Sequence, residues 1–132
     1  MRFGTLLLIG TLAFSAVACG SGSDAKPSAS PSATDNSDKF LDEVHAEHFD
    51  SWAETAPTDG EILMLPPEWC LELKDGHSVE YLLGESAAAY PNGPEWGTAR
   101  PDANRLLVLG VTNYCPEYRD QVTKELRETG QY

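Results

Sequence analysis

Positive charge is what this sequence has least of. Lys and Arg number 9 against 21 Asp and Glu, for a formal net charge of -12. In the folded part the cations are scattered (Lys39, Lys74, Arg100, Arg105, Arg119, Lys124, Arg127) and form no stripe. Nucleic-acid binding needs clustered cations to neutralise phosphates, so the composition argues against nucleic acid as a partner. Direct docking on anionic lipid heads is disfavoured for the same reason. Strand-type alternation is also missing, persisting nowhere beyond four residues, and this argues against a sheet. Cysteine is scarce, with 3 in the chain and no Cys-x-x-Cys turn, the frame that redox thiols ordinarily need. Catalytic patterns are lacking too. No metalloprotease His-Glu-x-x-His occurs, and Gly84-Glu85-Ser86-Ala87-Ala88 has no large sheet on which to form a nucleophile elbow. The expectation is a protein without enzymatic activity and without a cofactor.

What is present begins with Cys19. It ends an apolar leader in the run Ala16-Val17-Ala18-Cys19. Arg2 supplies the positive start, Leu6-Leu7-Leu8-Ile9 the apolar centre, and small residues precede the cut. This reads as a lipobox, with residues 1–18 a lipoprotein signal peptide and Cys19 the acylated N-terminus. Uncleaved, the same stretch could just span a bilayer, but Gly4, Gly10 and several Ser and Thr dilute it. Each buried methylene of an acyl chain contributes about 0.8 kcal/mol, so two chains hold a small domain on a membrane. The expected location is the extracytoplasmic face of the cell membrane, with the membrane itself a partner through the lipid.

Residues 19–37 form the tether. Gly20 to Ser37 contains no large apolar residue, so it cannot offset the entropy of being ordered and is expected to stay disordered. Residues 38–132 then make one small domain. With Cys19 acylated, Cys70 and Cys115 remain as an even pair outside the cytoplasm, where a disulfide is expected. The loop it closes is worth roughly 4 kcal/mol in the chain-entropy model.

The domain reads as all-α, a small disulfide-linked helical bundle. Helix one opens at Ser37 or Asp38, with Phe40, Leu41, Val44, His48 and Trp52 at three- and four-residue spacing. Thr58 with Glu61 matches a capping box. The segment it opens is expected to break at Pro66-Pro67, with a new helix carrying Trp69, Cys70 and Leu73 inward and stopping at Asp75-Gly76. Ser78 caps a third helix through about Tyr90. Tyr90 to Pro101 is a Gly/Pro-rich loop. Pro101 or Asp102 opens a fourth helix through Leu106, Leu107, Val108, Val111 and Tyr114, although Leu106-Leu107-Val108-Leu109-Gly110-Val111 would also suit a short strand. A polar tail helix with Val122 and Leu126 inside runs to about Thr129.

Several of these segments together have a likeness. A helix opening with Phe40-Leu41-Asp42, Cys70 followed by the Asp75-Gly76 stop and a Ser78-led helix, and Tyr114-Cys115-Pro116-Glu117-Tyr118 after an apolar helix resemble the actinobacterial family called domain of unknown function 732. The resemblance covers about Lys39 to Tyr118. It implies a small helical domain, exported or lipid-anchored, with Cys70 joined to Cys115. The family carries no assigned activity.

Two groups are candidates for binding. His45 and His48, three apart on the first helix, share a helix face and could grip one metal given a third ligand such as Glu47 or Asp50; the bland alternative is a partly buried His48 beside a solvated His45. Trp96, in the Gly/Pro loop beside Tyr90, is the candidate aromatic anchor for a partner; the alternative is that the loop folds back and Trp96 covers the core. The sequence therefore favours an interaction module for an envelope protein partner, with a small-ligand or metal carrier as the other reading.

Overall fold

A computed structural model describes residues 33–132, and all regular structure within them is helical. The elements are α1 (Ala33–Ala46), α2 (Asp59–Lys74), α3 (Val79–Leu83), α4 (Arg100–Tyr114) and α5 (Arg119–Glu128). Short 3-10 turns cover Asp50–Trp52 and Pro116–Tyr118. The helical reading of the domain is what the chain adopts. The leader, Cys19 and the tether up to residue 32 lie outside the described residues.

α4 is the central element. Its buried residues include Ala103, Leu106, Leu107, Val108, Gly110 and Val111, together with the polar Asp102, Asn104 and Asn113, so it is buried nearly all round and must be covered on several sides. α1, α2, α3 and α5 supply that cover. The Leu106–Val111 run is therefore helix and not strand. Its apolar residues are continuous because the helix is enclosed.

The second helix departs from expectation. Pro66 and Pro67 lie inside an unbroken α2. A proline inside a helix removes a hydrogen bond and crowds the preceding turn. Here Pro66 is buried and packed where α2 crosses α4. A Cβ added at Gly110 would sit 3.2 Å from Pro66 Cγ and 2.9 Å from the Trp69 ring. The packing of Pro66 and Trp69 on this glycine offsets the lost helical bonds. Thr58 and Glu61 form the full capping box at the start of α2. At its end Gly76 turns left-handed at φ 89°, and His77 N–H bonds back to Glu72 O at 3.0 Å.

Three other boundaries are corrected. α1 begins at Ala33, inside the segment read as tether, where the Ser37 hydroxyl bonds to Ala33 O and shares a hydrogen bond with Tyr114. It ends at Ala46, so His48 and Trp52 lie beyond it. α3 stops at Leu83 and does not run to Tyr90. The alanines after it turn instead, because Ala89 is buried and its carbonyl accepts the Trp69 indole N–H at 2.8 Å. The tail helix α5 forms with Val122 and Leu126 buried.

Cys70 and Cys115 are joined, with Cα atoms 5.9 Å apart. The bridge ties the C-terminal half of α2 to the end of α4. Two outcomes follow. Removing it in a C70A/C115A chain should lower unfolding stability by about 4 kcal/mol in chemical denaturation, less whatever order the reduced unfolded chain retains. Gly110→Ala should cost about 1–3 kcal/mol through overpacking against Trp69 and Pro66. A G110A chain as stable as its parent would show that α2 and α4 do not approach this closely.

Candidate interaction surface

The residues singled out by sequence are placed very differently from one another. His45 and His48 do not form a metal pair. His45 Nε2 meets Asp59 Oδ1 at 2.9 Å, whereas His48 Nε2 meets Asp50 Oδ1 at 3.1 Å. The cause is the end of α1 at Ala46, which takes His48 off the helix face that the two were expected to share. Both pairs are exposed, and among the described residues no three His, Cys, Asp or Glu side chains gather as a ligand set. Ser86 lies exposed in the turn after α3.

Trp96 and Tyr90 are not an exposed anchor. Trp96 is only 9% exposed. Its indole N–H donates to Glu61 Oε1 at 2.9 Å, and its ring meets Trp52 edge-on at 6.3 Å. The Tyr90 hydroxyl donates to Thr98 O at 2.7 Å, and Trp52 Nε1 donates to Thr98 Oγ1 at 3.1 Å. Each aromatic finds a partner for its polar end inside the domain, which is what lets an amphipathic ring be buried. Gly93 makes the fold-back possible: a Cβ there would lie 2.2 Å from Trp96 Nε1. The Gly/Pro content that suggested a free loop is what allows it to lie flat on the core. Glu61 gains from the arrangement. The Thr58 backbone N–H, the Trp96 indole and the Thr58 hydroxyl hold its carboxyl below the ordinary value.

This aromatic corner is braced by Asp102, which is 4% exposed. The Ser51 backbone N–H and hydroxyl both donate to Asp102 Oδ2, at 2.9 and 2.6 Å. Arg105 donates to its other oxygen, to the His48 carbonyl at 3.0 Å, and lies over the Phe49 ring. Ala99 N–H, at the start of α4, donates to the Ser51 hydroxyl. Burial pushes the Asp102 carboxyl up, but the bonds from Ser51 and Arg105 outweigh it and hold the group below its ordinary value. Every partner is structural, so this buried acid reads as a brace and not as a reactive group.

The surface that sequence reasoning missed is the outer side of α2. Once the helix is unbroken, positions 60, 64, 67 and 71 fall on one stripe at four- and three-residue spacing. Met64 is 74% exposed and Leu71 56%, and Pro67 between them is exposed. Ile62, Pro66, Trp69 and Leu73 occupy the opposite, buried side. Beside the stripe Glu68 and Glu72 line a cleft of about 410 Å³ with Glu80 and Tyr81. Tyr81 stacks on His77 with ring centroids 3.7 Å apart, and His77 pairs with Glu72 at 3.3 Å. The available signal was the residue pattern itself, Met64-x-x-Pro67-x-x-x-Leu71, and an expected break at the prolines hides it. No helix among the described residues is long and apolar enough to cross a membrane.

No family model, curated protein or solved structure matches this chain.

The brace carries its own test. A carboxylate with a lowered folded pKa stabilises the fold above its unfolded value, and that contribution disappears as pH falls through the folded value. Asp102→Ala should therefore cost about 3 kcal/mol at neutral pH. The gap to wild type should narrow toward about pH 3 in thermal unfolding. A deficit that is the same at both pH values would show that the charge of Asp102 contributes nothing.

Proposed function

We propose that this chain is a lipid-anchored, extracytoplasmic interaction module without enzymatic activity, and that it belongs with the actinobacterial domain of unknown function 732 proteins that it resembles. Acylated Cys19 holds it to the membrane, and the outer face of α2 meets an envelope protein. One observation carries the choice of surface. In a domain that buries Trp69, Trp96 and Phe40, two large flexible apolar side chains, Met64 and Leu71, are left to solvent on one stripe of one helix. Single exposed apolar residues are ordinary, but an aligned set flanked by polar groups is the pattern of a contact face. Methionine suits such a face because its unbranched, polarisable side chain adapts to different partners. The lipobox supports the anchoring, and the acidity of the chain supports a protein partner over nucleic acid or bare lipid.

The test uses the full chain in an actinobacterial host. A photoreactive amino acid at position 64 should give a discrete cross-linked product in the membrane fraction. The same group at position 120, on the exposed side of α5, should not. Cys19→Ser should remove the chain from the membrane fraction and abolish the product. Equal labelling from both positions, or none from either, would sink the assignment of the surface. A C19S chain that stays membrane-bound would sink the lipid anchor.

A further inference from the structure

The α2 face differs from an ordinary greasy patch in its chemistry on either side, and this specifies what fits it. One side of the face is the Met64–Pro67–Leu71 stripe. One step round the helix lie Glu61, whose carboxyl is taken up by Thr58 and Trp96, then Glu68 and Glu72, with Asp75 at the C-cap, while Lys74 continues the stripe itself. Glu68 and Glu72 line the cleft shared with Glu80 and Tyr81. Arg100 already meets Glu80 at 3.0 Å, and His77 pairs with Glu72 and stacks on Tyr81. Exposed Glu68 is therefore the carboxylate that offers its charge to an incoming cation, with Glu72 and Glu80 adding to the field beside it. The Cys70–Cys115 bridge fixes this part of the helix to α4, so the face is held in place before anything binds and little ordering is left to be done on binding.

We propose that the face docks a basic amphipathic segment of a protein partner. Its apolar side chains lie along Met64, Pro67 and Leu71, and its Lys or Arg side chains reach the Glu68–Glu72–Glu80 cleft. The inference rests on the interaction-module reading and adds the chemistry of the partner. A second copy of the same chain is disfavoured, because two such faces would set like charges against one another, in a protein with a formal net charge of -12.

A short labelled helical peptide of Leu and Lys is the probe, with a Leu/Glu peptide of the same pattern as control. The full chain in detergent should bind the Leu/Lys peptide at least about tenfold tighter than the Leu/Glu peptide by fluorescence anisotropy. Leu71→Ser and the double variant E68Q/E72Q should each weaken binding about fivefold or more. D42N/E54Q, which changes net charge equally at exposed positions on α1 and in the connection after it, should leave it within about twofold. Equal weakening by the two double variants would reduce the effect to overall charge and overturn the proposal. So would binding of the Leu/Glu peptide as tightly as Leu/Lys, or concentration-dependent dimerisation lost in Leu71→Ser. A position-64 cross-link in cells without Leu/Lys binding would discard the basic partner and leave the interaction module standing. Absence of both would remove the two together.

Discussion

The close approach of α2 to α4 at Gly110 is the contact on which the rest of this domain depends. Only a residue without a side chain leaves room for the Trp69 ring and Pro66 against α4. That approach buries the largest side chain in the core and compensates the helix for its two prolines. It also sets the rotation of α2 about its own axis. With Pro66, Trp69 and Leu73 turned inward, the same 3.6-residue period turns Met64, Pro67 and Leu71 outward. Burial on one side and the unpartnered stripe on the other are consequences of a single packing choice. The disulfide one residue beyond Trp69 then closes the α2–α4 pair covalently.

A second constraint acts at the opposite end of α4. The chain between α1 and α2 and the long loop before α4 carry little regular structure. Backbone groups there need partners from elsewhere. Ser51, Asp102 and Arg105 provide them across the two segments, and Thr98 takes the indole of Trp52 while its carbonyl takes the Tyr90 hydroxyl. Polar side chains thus do for the loops what apolar packing does for the helices. The distinction bears on function. A buried acid with a lowered pKa is a feature often associated with active sites, yet here each oxygen is committed to holding a loop. In the α2–α3 cleft Glu72 pairs with His77 and Glu80 with Arg100, whereas the exposed Glu68 braces no part of the fold.

Much of the helical layout was legible in the residues, because it is local. Thr58 with Glu61, Gly76 after Asp75, and Val122 with Leu126 are signals contained within a few positions, and each gave the element expected of it. Cysteine arithmetic foretold the Cys70–Cys115 bridge. What escaped was decided at long range. Pro66-Pro67 reads as a break unless Gly110, far along the chain, is known to receive it. The run after Ser78 reads as helix until the Trp69 indole captures the Ala89 carbonyl. Trp96 in a Gly/Pro loop reads as exposed until Gly93 and Glu61 are seen to fold it down. The exposed α2 stripe was hidden by the first of these, since a helix broken at residue 66 carries no stripe from 64 to 71.

The acidity of the chain acquires a use once the surface and the proposed anchor are considered together. A tethered domain on a membrane risks laying its exposed apolar side chains on the lipid. Carboxylates beside Met64 and Leu71 oppose this, because anionic head groups repel them within a Debye length of about 8 Å at physiological salt. The same carboxylates attract a cationic protein surface and discriminate against acidic ones by like-charge repulsion. A purely apolar face would have no means to choose among the lipid, its own copies and a partner. Under the proposed reading, the pairing of the stripe with an acidic row would supply that choice, and the negative charge would then serve specificity as well as solubility.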